Sequence, residues 1–131
     1  MLGFFRADED AFVKELMSSN INIDKLKKYI ANGVNINDVD EKGRNYLFFF
    51  AAKKNFNAIK VLISLGIDMY KEDKLGKTVL SEACEKYDFM MIRFLLDNGF
   101  DGNRKNSAGR TILQDCVLLG NDKVFQILLN Y

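Results

Sequence analysis

Gly33, Gly66 and Gly99 are spaced by 33 residues, and so are Gly43, Gly76 and Gly109. The same interval links Leu47, Leu80 and Leu113, then Asp40, Asp73 and Asn106, then Asn35, Asp68 and Asp101. Several independent series sharing one period leave little freedom. The chain has to fold as stacked copies of one supersecondary unit, because a unit of this size cannot bury its apolar face alone.

Each copy reads as two short helices. Leu47, Phe50 and Ala51 fall at i, i+3 and i+4, the stripe of an amphipathic helix. Leu80, Ala83 and Cys84 repeat the stripe, as do Leu113, Cys116 and Val117. A second stripe follows in each copy: Ile59, Leu62 and Ile63; Ile92, Leu95 and Leu96; Phe125, Leu128 and Leu129. Asn55, Asp88 and Asn121 stand just before these second helices, where a side-chain oxygen can accept from an orphan backbone N–H. Asn45, Thr78 and Thr111 are placed to cap the first helices. The glycines at 33, 66 and 99 suit left-handed helix ends, and those at 43, 76 and 109 suit tight turns.

The period runs backwards too. Leu26, Tyr29 and Ile30 lie one period before Ile59, Leu62 and Ile63, and Asn22 one period before Asn55. Further back, Val13, Leu16 and Met17 give the first-helix stripe one residue early, which implies a loop one residue longer around 18–24. The whole chain, 1–131, reads as one domain of four repeats: about 6–39, 40–72, 73–105 and 106–131. Asp8, Glu9, Asp10 and Lys14 suit a solvated outer face on the first repeat.

Composition narrows the chemistry. Histidine is absent, which removes His acid–base catalysis, Ser–His and Cys–His nucleophile pairs and His zinc sites together. Two cysteines are too few for a disulfide framework, and Cys84 and Cys116 sit in apolar company as small core residues. A net charge of +1 argues against general nucleic-acid binding. No segment approaches the length of a membrane span, and the opening MLGFFRADEDAF meets acidic residues too soon for a secretory signal, so the cytosol is the expected compartment. The carboxylates of Asp8, Glu9, Asp10, Glu72 and Asp73 read as repeat edge or helix N-terminal charge. No catalytic residue, cofactor site or metal ligand is expected.

The stretches GRNYLFFFA, GKTVLSEAC and GRTILQDCV, with KVLISLGID and RFLLDNGFD downstream, resemble the ankyrin repeat. The chain is most similar to small stand-alone, bacterial-type members of that family. The glycine and leucine match throughout, and the threonine twice. Tyr46, Val79 and Ile112 replace the family's proline, and Phe48, Ser81 and Gln114 its histidine. The resemblance implies an all-α ankyrin-repeat solenoid of four helix-turn-helix units joined by short β-turn or hairpin connections. The missing proline and histidine imply looser turns in the same fold.

The resemblance also implies a binding surface on the turn tips and the concave face of the first helices. In the second repeat those positions hold Glu41, Lys42, Arg44, Tyr46, Phe48, Phe49 and Lys53. The third holds Lys74, Leu75, Lys77, Glu82 and Lys86, and the fourth Arg110, Asp115, Leu118 and Leu119. The tips grow more basic toward the C-terminus, which either steers an acidic partner or is ordinary solubilising charge. One helix face cannot bury four neighbouring aromatics, so Phe49 is the best exposed anchor. The alternative is that Phe48 and Phe49 cover an irregular first repeat. Leu118 and Leu119 either line the concave face or seal the last repeat.

The function expected is that of a protein-interaction module, monomeric in preference to homodimeric, binding another protein and neither nucleic acid nor membrane. Two alternatives stand beside it: an inhibitor or immunity-type protein that neutralises a toxin or enzyme, and a structural protein that self-assembles through its leucine-rich C-terminal end.

Overall fold

A side-chain oxygen sits at the start of nearly every helix, and these caps set the helix boundaries. In the computed structural model, which describes residues 7–131 (the side chains of Ala7, Cys116, Val117 and Leu119 excepted), eight helices follow in four pairs: α1 (Ala7–Leu16) with α2 (Ile23–Ala31), α3 (Tyr46–Ala52) with α4 (Phe56–Ser64), α5 (Val79–Glu85) with α6 (Phe89–Asp97), and α7 (Ile112–Leu119) with α8 (Asp122–Leu129). No strand occurs among the described residues. Residues 1–6 and the side chains of Cys116, Val117 and Leu119, all used in the sequence reading, lie outside the description.

The second helix of every pair is capped as its sequence demands. Asn22, Asn55, Asp88 and Asn121 accept from the amides of Lys25, Ala58, Met91 and Val124 at 3.1–3.2 Å. The first helices add a feature that corrects the expectation of looser turns. Thr78 accepts from the Ser81 amide while the Ser81 hydroxyl accepts from the Thr78 amide, a reciprocal capping box. Thr111 and Gln114 do the same. Ser81 and Gln114 occupy the slots where the family has histidine, so the helix starts are tied down by other means. At the third start, Asn45 caps the Leu47 amide and its side-chain nitrogen donates to the Asp68 carbonyl at 2.9 Å.

The connecting turns are pinned by an Asp or Asn at one repeat position. Asp40, Asp73 and Asn106 each accept two backbone amides: Lys42 and Arg44, Leu75 and Lys77, Ala108 and Arg110, all at 2.9–3.0 Å. Asp73 is buried in doing so. The backbone closes the same turns, as from Asp73 N–H to the Lys77 carbonyl at 2.8 Å. Gly76 stands inside this turn at φ +79°, a conformation that a side chain disfavours.

The chain divides into two compact units, Met1–Asp68 and Met69–Tyr131, each holding two helix pairs. In the first, Phe12, Leu16, Leu26, Leu47, Phe50, Ile59 and Leu62 are buried. The α1 register differs from expectation: Phe12 and Leu16 are the buried pair, Val13 is half-buried and Met17 is exposed. The α1–α2 link runs over 17–22, against 53–55 and 86–88 in the next two pairs, so it exceeds the single extra residue expected. Glu9 departs from the expected solvated face as well, because it is buried, while Asp8, Asp10 and Lys14 are exposed. In the second unit the core comprises Leu80, Ala83, Cys84, Met91, Ile92, Leu95 and Leu128. There Asn121 donates to the Cys84 carbonyl at 3.4 Å, tying the last pair to the one before.

Candidate interaction surface

The tips and the first helix of each pair carry the side chains expected to meet a partner, and the structure sorts them. In the first unit, Glu41, Lys42 and Lys53 are exposed. Phe49 is half-buried, edge-on to Phe50 with ring centroids 5.0 Å apart, and the Lys53 ammonium lies 5.0 Å above its ring. The Arg44 guanidinium sits 5.1 Å over the Phe48 ring.

Tyr46 and Phe48 require a correction, because both are buried and neither presents a surface. The Tyr46 ring packs on Phe12 of α1 with centroids 5.5 Å apart. The α1 register brings Phe12 against the second repeat, and both rings are buried. Burial pushes the Tyr46 phenol well above its usual range, with Glu9, Asp38 and Asp10 adding to the effect.

In the second unit, the tips at 73–77 and 106–110 overhang α5 and α7 and enclose a groove of about 410 Å³. Leu75, Lys77, Arg110, Asp115 and Leu118, all singled out from sequence, line it together. Leu75 is 78% exposed and Leu118 73%, so two large apolar side chains stand open to solvent on its rim. Lys74 is exposed on the tip. Glu82 and Lys86 pair with each other at 3.5 Å along α5, away from the groove lining. The Leu119 side chain lies outside the description.

The cations at one repeat position, Arg44, Lys77 and Arg110, each have an internal partner. Lys77 Nζ meets Glu85 at 2.7 Å, which holds its ammonium above the usual lysine range. Arg110 Nε meets Asp115 at 2.6 Å. The basic ridge read from sequence is therefore locally neutralised at these two tips, which weakens its pull on an acidic partner.

Sequence reasoning missed the floor of the groove. Tyr70 and Phe100 pack with their rings tilted at 53° and centroids 4.6 Å apart, and the Arg104 guanidinium lies 4.0 Å over Tyr70. The Tyr70 hydroxyl accepts from the Asp101 amide at 2.9 Å. One period earlier, Asn37 accepts from the Asp68 amide at 2.8 Å. The shared slot was the available signal, since a polar side chain recurs there to hold the next repeat's loop. Glu72 is half-buried, and its carboxylate receives Ser107 of the neighbouring tip.

Among the described residues, no group of three or more His, Cys, Asp or Glu side chains is placed to hold a metal ion, and no helix is long and apolar enough to cross a membrane. Cys84 is buried.

Helix pairs repeated at 33 residues, turns pinned by an Asp or Asn, and a groove under the turn tips define a helical repeat protein with a surface for binding. The family model for ankyrin repeats (3 copies) matches residues 15–106 and again 48–131, and the chain belongs to the ankyrin-repeat family. Ankyrin repeats are generally protein–protein interaction modules and typically non-enzymatic. A search of curated proteins finds no match.

Proposed function

We propose that this protein binds a partner protein in the groove of its second unit, with Leu75 and Leu118 as the apolar anchors of the contact. The observation that carries this reading is their exposure on the rim of one groove whose neighbouring charges, Lys77 with Glu85 and Arg110 with Asp115, are already paired. An apolar partner side chain entering there displaces water from both leucines and breaks no ion pair. The turns around the groove are fixed by internal hydrogen bonds, so little ordering entropy opposes binding. Glu41, Lys42, Phe49 and Lys53 of the first unit are a lesser candidate surface.

The test is affinity capture from native cell extract with wild type beside Leu75→Glu, Leu118→Glu. Loss of a captured protein by the variant, at unchanged helicity, supports the reading. Equal capture by both removes the groove from consideration. A narrower form of the proposal is that occupancy inhibits the partner, a toxin or an enzyme. Titration of the purified partner's activity would then end at one equivalent, and an unaffected activity would sink that form.

A further inference from the structure

The last helix pair differs from the others at positions that its own repeat pattern defines as core. Leu47 and Leu80 are fully buried, while Leu113, one period on, is part-exposed. Ile59 and Ile92 are fully buried, while Phe125 is part-exposed. Leu96 is 8% exposed, while Leu129 is 54%. Phe125 and Leu129 stand four residues apart on α8 and so share one helix face. Within the second unit, α5 packs against α7, so the preceding pair has these positions covered by a helix pair. The surface left open on α7–α8 is therefore of a shape that another helix pair of this protein covers.

Among the described residues, the opposite end of the chain offers a mainly polar surface. The α1–α2 pair and its link expose Asp8, Asp10, Lys14, Lys27 and Lys28 beside Met17 and Ile23, a surface mostly of the polar kind that caps a repeat array. Head-to-tail stacking would set these charges against Leu113, Phe125 and Leu129 and desolvate them unpaired. The apolar surface is matched by itself. On α8 the exposed charges are Asp122 and Lys123, one of each sign, so a two-fold axis brings no like-charge excess together and permits cross-pairing.

We infer that the α7–α8 face, through Leu113, Phe125 and Leu129, is a self-association surface whose occupant is the same face of a second copy of this chain. The contact is isologous and closed, so it stops at the dimer. It is separate from the groove proposed to hold a partner, and it stands against the monomer that sequence alone suggests.

Sedimentation equilibrium of the 131-residue chain over the attainable concentration range tests it, with Leu129→Glu and Leu75→Glu alongside. Leu129 and Leu75 are both well exposed, so neither change removes core, and circular dichroism confirms the fold. The expected result is a wild-type dimer, retained by Leu75→Glu and weakened about tenfold or more by Leu129→Glu. A wild-type monomer throughout the range overturns the inference. So does a dimer indifferent to Leu129→Glu, or one lost with Leu75→Glu, which would move the contact to the groove.

Discussion

The carboxylate of Glu72 receives both the amide and the hydroxyl of Ser107, at 3.0 and 2.6 Å, and so links the tip of the fourth repeat to the segment leading into the third. One side chain holds two turns that are distant in sequence, and both border the groove. Glu72→Gln weakens a charge-assisted pair of bonds at a half-buried site, with an expected cost of about 1 kcal/mol. The sharper readout is local. Hydrogen exchange at the Ser107 amide should accelerate while the amides of α6 keep their protection. Unchanged exchange at Ser107 would count against the link.

Core and rim leucines should respond in opposite ways. Leu95 is fully buried, and Leu95→Ala should lower unfolding stability by roughly 2–5 kcal/mol through lost contacts and a cavity. Leu75→Glu changes an exposed tip, and its effect should stay within about 0.5 kcal/mol. Urea titrations of the two variants beside wild type measure both. A large loss on Leu75→Glu would mean that the tip is structural.

Left-handed backbone occurs at three equivalent positions between the paired helices. Lys54 and Tyr87 stand at φ +55°, and the third position holds Gly120 at φ +65°. A side chain there costs roughly 1–2 kcal/mol, partly offset by the lower chain entropy of a non-glycine residue. Lys54→Gly should therefore stabilise by roughly 0.5–1 kcal/mol, and Gly120→Ala destabilise by about 1 kcal/mol. Tyr87→Gly should gain less, because its ring contacts Phe89 at 6.4 Å. Thermal melts of the three variants test the ordering.

Tyr46 makes stability depend on alkaline pH. Its phenol ionises near pH 10.0 in the unfolded chain and at higher pH in the folded one. Below that pH both states hold the proton and Tyr46 adds no slope. Above it the unfolded state loses the proton first, so stability falls by about 1.4 kcal/mol per pH unit for this one group. Lys77, also held above its usual value, acts with the same sign. Tyr46→Phe should remove its share of the slope in urea midpoints measured from about pH 9 to 11. An identical slope in wild type and variant would contradict the buried, neutral phenol.

The repeat frame was legible because its determinants are local. Asn55, Asp88 and Asn121 cap helices through amides three residues on, and Leu47, Leu80, Leu62 and Leu95 are buried where helical spacing puts them. The fate of Tyr46 was not local, since it rests on the α1 register and on Phe12, which breaks the period. The neutralised tips were hidden for a related reason. The partners of Lys77 and Arg110 lie eight and five residues away, in the helix that follows, and occupy different repeat positions. Tyr70 and Phe100 gave no helical stripe to notice, because both belong to connecting segments.

Asp40 and Asp73 fold their turns from beneath, using a single side-chain oxygen and the backbone. The apex residues, Glu41 with Lys42 and Lys74 with Leu75, contribute only main-chain groups to that arrangement. Their side chains are thus interchangeable cassettes: new recognition residues can be written into either apex, by drift or by design, while the scaffold beneath keeps its shape.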